Sequence, residues 1–151
     1  MTAIPAGQDA LERHAAHPDA AAFRAFYDAK KAANGGLLAV YKGAAPDAAK
    51  RAVFADAAAR WETIGAFVAH DLPAALPESG FLGGAAPGED DFHLGAWLAR
   101  VVFLAGGKGD KEGYRALERE TKGPMPAKVA AYWAAWVERP SFQKVYEKGL
   151  H

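Results

Sequence analysis

Residues 87–98 read PGEDDFHLGAWL, with three acids, Glu89, Asp90 and Asp91, directly ahead of an apolar run. Adjacent carboxylates admit three chemical readings. They can ligate a hard cation through oxygen, act as an acid–base pair across a substrate, or open a helix whose first amides carry partial positive charge. A metal site needs oxygens converging from several places, and consecutive residues at a helix start fan outward. A carboxylate pair needs both side chains on one pocket, which neighbours on a helix do not supply. The helix-start reading needs no further group. Asp91 stands three residues after Gly88, where its side chain can reach back to the cap amide, as in a capping box. Glycine is an acceptable cap but has no side chain to return the bond, so half of the box is missing. Gly88 and Asp91 are assigned a structural capping role, and catalytic residues stay unassigned.

The elements that must position this helix are themselves helices. Alanine makes up about a quarter of the 151 residues, while Val and Ile together occur ten times, a bias that favours helix over strand. A short helix is expected at 8–16, stopping before Pro18. Residues 19–42 read as one long helix loosened at Gly35-Gly36. Pro46 and Asp47 start another, whose apolar positions Val53, Ala57, Trp61, Ile64, Val68 and Leu72 repeat at helical spacing. From Pro73 to Pro87 the chain is rich in Pro and Gly and reads as loop. The 89–105 helix is nearly apolar along its length, as befits a central, buried helix. A polar break, GGKGDKEG, leads to a short helix at 112–121. AKVAAYWAAWVER carries Val129, Tyr132, Trp133, Trp136 and Val137 on a firm helix, and RPSFQKVY closes the chain with a last short one. No repeat and no strand pair is evident, so a single all-α bundle of about five to seven helices over 1–151 is expected.

Composition narrows the function. Eighteen basic and eighteen acidic side chains balance, which gives no sign of a nucleic-acid or anionic-membrane partner. Without cysteine there are no disulfides, thiolates or Cys-based zinc sites. No apolar run approaches the roughly 18 residues of a membrane span, and MTAIPAGQDALERH lacks the pattern of a secretory signal, so a cytoplasmic protein is the default. His14 and His17 lie at i, i+3, but no third ligand is near and no metal site is assigned. GGKGDKEG lacks both the preceding strand and the following Lys-Ser/Thr of a phosphate loop. Serine occurs only at 79 and 141, which leaves little for a Ser-His-Asp triad. Residues 61–99 hold six acids and no Lys or Arg, against ten bases and six acids over 100–151. That asymmetry could orient a dimer or a partner, though solvated faces commonly produce it.

FLGGAAPGEDDFHLGAWLARV resembles the segment leading into the central buried helix of the glutathione transferase C-terminal domain. The family carries a small cap residue, an Asp three positions on, then an apolar helix with Trp-Leu and Arg. Those places fall here on Gly88, Asp91, Trp97, Leu98 and Arg100, with Gly88 replacing the usual Ser or Thr. RPSFQKVYEKGLH is similar to the family's closing Arg-Pro-Ser helix, and helix order agrees over roughly 8–149, in the style of fungal members. The resemblance implies a hydrophobic substrate pocket walled by the first long helix and the central one. Tyr27, Lys30 and Asn34 lie on a face of the first helix that mixes aromatic and polar groups, and His93, Trp97 and Arg100 share a face of the other. Such mixed walls suit ligand sites, and these six are the candidate ligand-binding residues. The alternative is that Tyr27 and Trp97 are core while Lys30 and Arg100 snorkel to water. The other occupied face of the long helix, Phe26, Ala29, Ala33, Leu37 and Val40, is expected in the core.

The resemblance also implies that glutathione would be held by a thioredoxin-like domain, which has no counterpart in these residues. Glutathione is thus expected as a cofactor only with a thioredoxin-like partner, and transfer of the fold does not transfer the activity. Three readings stay open: a domain binding hydrophobic or electrophilic small molecules, of detoxification or secondary-metabolite type; a non-catalytic interaction or homodimerisation module; and a glutathione-independent enzyme using His93 as acid or base. If Asp91 is only a cap, Asp91→Ala should cost about 1–2 kcal/mol.

Overall fold

A computed structural model describes residues 3–148, side chains from residue 7 onward. Residues 149–151, the end of the closing motif, and Met1 and Thr2 at the head of the stretch tested for a signal lie outside the described residues. The described residues are helical, with no strand among them. Phe81 and Gly84 form one isolated bridge. No helix among them is long and apolar enough to cross a membrane. The chain divides into two compact units, one ending at Ala58 and one beginning at Ala59.

In the first unit, α1 (Ala3–Ala15) begins earlier than its expected start at residue 8. The expected 19–42 helix is in two parts, a 3₁₀ stretch over Pro18–Phe23 and α2 (Arg24–Tyr41). Pro18 fixes its own φ at the head of the tighter turn, and the His17 ring accepts the Asp19 amide at 3.3 Å. Gly35 and Gly36 do not break α2. Each weakens a helix by about 1 kcal/mol against Ala but keeps its N–H in the ladder. The helix ends at Gly43, whose φ of +74° allows a Schellman closure, Gly43 N–H to Val40 and Ala44 N–H to Ala39. Of the face expected in the core, Val40 is buried and Leu37 half-buried, whereas Phe26, Ala29 and Ala33 are exposed. Within this unit α2 packs against α1 and the 3₁₀ stretch, which leave that stripe uncovered.

The helix α3 (Asp47–Ala66) runs across the division. Its apolar stripe divides too. Val53 is half-buried and Ala57 exposed, while Trp61 and Ile64 pack onto the core of the second unit, where Val68 and Leu72 are buried. Beyond Ala66 the chain takes π geometry over Phe67–Asp71, with the Leu72 amide bonded five residues back to Phe67, and then α4 (Leu72–Ala75). Pro73, expected as the first loop residue, lies inside α4. Proline cannot donate to the helix ladder, and a widened turn just before it accommodates the lost bond.

Four helices complete the second unit: α5 (Glu89–Leu104), α6 (Arg115–Thr121), α7 (Ala127–Val137) and α8 (Pro140–Val145). The expected central helix, α5, packs against α6 and α7, but α7 touches α4, α5 and α8. The reason is in the side chains. α7 buries Val129, Tyr132, Trp133, Trp136 and Val137, whereas α5 keeps Phe92 and Leu104 more than half exposed. The turn after α5 is a second Schellman closure, with Gly106 at φ +82° and the Gly107 amide bonded to Val102 at 2.8 Å. The Trp133 indole donates to the Asp110 carbonyl at 2.7 Å and ties the following loop to α7.

The approach of α5 to α7 depends on Gly95. A Cβ there would lie 2.1 Å from the Trp136 ring. Gly95→Ala should destabilise the protein by about 2–3 kcal/mol through overpacking, despite the better helix propensity of alanine. Urea unfolding monitored by circular dichroism measures it, and an unchanged midpoint would refute the close packing.

Candidate functional site

Of the three acids, Glu89 and Asp90 are exposed and only Asp91 is buried, with no accessible surface. One carboxylate oxygen accepts the Gly83 amide at 2.9 Å and the Gly88 amide at 2.8 Å. The other accepts the Leu82 amide at 2.8 Å and the Tyr132 hydroxyl at 3.0 Å. The bond to Gly88 is the half capping box read from the sequence. The other three bonds gather the 80s loop and α7 onto the start of α5. Gly83 is required for the fit, since a Cβ on it would meet the Gly88 nitrogen at 2.4 Å. Burial pushes the Asp91 pKa upward, but the amides of Gly83, Leu82 and Gly88 and the Tyr132 hydroxyl outweigh it, so the carboxyl titrates below its ordinary range. The Tyr132 phenol is raised, by burial first and then by its bond to Asp91. Near neutral pH the Asp91 carboxyl is therefore ionised and the Tyr132 phenol keeps its proton, and the pair serves the packing. Nothing in it is poised for proton transfer near neutral pH.

The second unit also holds an open groove of about 200 Å³. Its walls are Phe92 and Ala96 of α5, Trp136 of α7, and Phe142 and Tyr146 at the end of the chain. Phe92 meets Trp136 edge to face at 5.7 Å, and Phe142 meets Tyr146 at 4.5 Å. Arg139 stands at the rim, its guanidinium carbon 4.9 Å from the Phe92 ring centre and 4.5 Å from that of Trp136. Arg139 is the extended cap residue between α7 and α8, and its amide bond to the Trp136 carbonyl at 3.3 Å keeps the cation near that ring. The spacing of Trp136 and Arg139 and the Arg-Pro-Ser sequence were visible in the chain. Phe92 could not be matched to them without knowing that Gly95 draws α5 against Trp136.

The six ligand-binding candidates lie on two helices. Tyr27 and Asn34 are half-buried on α2 and Lys30 is exposed, its ammonium 5.6 Å from the Phe26 ring. On α5, His93 and Arg100 are exposed, and Trp97 is half-buried against the core, edge to face with Phe67 at 5.3 Å. No hydrogen bond or ion pair orients the His93 ring among the described residues, so it lacks the orienting partner of a general base. His14 and His17 are exposed, and no group of three His, Asp or Glu side chains among the described residues is placed to hold a metal. Comparison with known proteins finds no matching family model, no matching curated protein and no matching solved structure.

Because Asp91 serves four donors and not one, Asp91→Ala should cost about 3 kcal/mol, above the 1–2 kcal/mol of a lone cap. The ionised form carries this contribution. It is complete above the unfolded carboxyl pKa of about 3.9 and is lost as pH falls through the lower native value. Denaturant titrations from pH 7 down to 2 should show wild type losing stability in that acid window, with Asp91→Ala losing less. Parallel pH profiles for the two proteins would contradict the assignment.

Proposed function

We propose that this chain is a glutathione transferase-like helical domain that binds small hydrophobic aromatic molecules and does not conjugate glutathione by itself. The observation that carries the reading is the groove with aromatic walls and a single cation at its rim. Mostly apolar concavities with one or two polar groups are the usual form of small-molecule sites. The family resemblance is supported by an Asp at the third position of α5, buried and bonded to the cap amide, and by an Arg-Pro-Ser start to the closing helix. A free thiol is only a few per cent thiolate near pH 7, and the resemblance assigns its activation to a thioredoxin-like domain, not to a helical one.

A second reading, an interaction or homodimerisation module, is favoured by exposed Phe23, Phe26, Tyr41 and Phe54, all in the first unit. Exposed apolar groups in number mark association surfaces. Sedimentation across a concentration series, with Phe26→Ser as control, tests it.

The binding reading is tested by titrating naphthalene derivatives while following tryptophan fluorescence. Trp136→Phe should abolish most of the response and Trp97→Phe should leave it. The reverse result would move the ligand to the face shared by His93, Trp97 and Arg100. The chain should give no conjugation of an aromatic electrophile above the solution rate. Saturable glutathione turnover would overturn that part of the proposal.

A further inference from the structure

Arg139 has an unused half. Its guanidinium carbon lies over the Phe92 and Trp136 rings, which stand at 77° to each other, so its flat face can lie on one ring only, and the N–H donors directed at neither ring remain for an acceptor. Among the described residues those donors meet no carboxylate and no hydrogen-bond acceptor. The adjacent acid, Glu138, is paired with Lys111, and Glu147 with Lys144. No acid lines the groove among the described residues. A half-buried cation held against two rings, with N–H donors left beside an apolar slot, is complementary to an anion carried on an aromatic plate.

We infer that the groove is specific for a planar aromatic carboxylate of one or two rings, with the carboxylate bound by Arg139 and the ring against Phe92, Trp136 and Phe142. This rests on the small-molecule reading above and narrows it. Size sets the ring count. About 200 Å³ is below the roughly 300–1,000 Å³ of sites for drug-sized ligands, so a fused two-ring compound fills it. Charge sets the substituent. A carboxylate can take two parallel N–H bonds from the guanidinium edge, which a neutral hydroxyl cannot match.

Calorimetric titration of the whole chain with 2-naphthoate and with 2-naphthylmethanol tests the inference, since the two probes share a ring and differ in charge. The acid should bind about tenfold more tightly, the increment of a charge-assisted pair. Arg139→Leu should remove that preference, so that acid and alcohol bind alike. Arg139→Lys should retain part of it as a point charge without the fork. Thermal melts establish that each variant is folded, and Lys serves if Leu is not. Equal affinity for acid and alcohol in the unaltered protein would overturn the carboxylate specificity while leaving small-molecule binding standing. Binding of neither probe would overturn both.

Discussion

A carboxylate can be buried without a cation only if hydrogen-bond donors replace the water it gives up. Asp91 meets that condition with three backbone amides and one phenol, and those donors come from separate parts of the chain. Leu82 and Gly83 belong to a Pro- and Gly-rich connection with no ladder of its own, Gly88 is the helix cap, and Tyr132 lies on α7. Satisfying one side chain therefore fixes where the connection lies, where α5 begins and how α7 is rotated about its axis. With Tyr132 held, Trp136 one turn on comes against α5, and Gly95 is the residue that admits it. The groove wall built from Phe92 and Trp136 follows from that contact.

The same constraint explains the form of the loop. Phe81 and Gly84 exchange backbone bonds at 2.9 Å, closing a tight turn that Gly84 permits at φ +99°. The turn presents the Leu82 and Gly83 amides to Asp91 and lays the Phe81 ring edge-on to Tyr132 and Trp136. Lys128 adds a second tie across the same connection through its ion pair with Glu78 at 2.7 Å. That pair is solvent-exposed and contributes little beside the buried carboxylate.

Much of this was legible in the chain. Alanine enrichment and the scarcity of β-branched residues announced helices, and the Gly88–Asp91 spacing announced the cap. Pro46 and Pro140 mark helix starts, but Pro73 read as the first residue of a loop, and the π stretch before it depends on how one lost amide bond is absorbed, which composition does not encode. Phe26 and Ala33 have the periodicity of a core face, yet burial needs a covering partner, and periodicity says nothing about whether one exists. Tyr132 reads as one more core aromatic on α7. Its pairing with Asp91 spans 41 residues, beyond the reach of any helical spacing. For the site, Trp97 was singled out on a mixed face of α5, while Arg139 stood in a motif read as the family-like closing helix and not as a binding group.

The groove and the buried carboxylate show two opposite ways of placing a charge. Asp91 is fully desolvated and fully paired, so its charge is spent inside the structure and cannot serve a ligand. Arg139 is half-buried, and its contacts are with ring faces, which attract a cation without neutralising it. Such a group keeps its formal charge and its directional donors while losing part of its competing water, and an anion meeting it gains more than it would from a lysine in open solvent. The rings that hold Arg139 are also the walls of the slot, so the element that fixes the cation and the element that would receive a flat ligand are one surface. The position of the cation and the shape of the slot are therefore coupled: a change that moves Trp136, at Gly95 or through Asp91, alters both together.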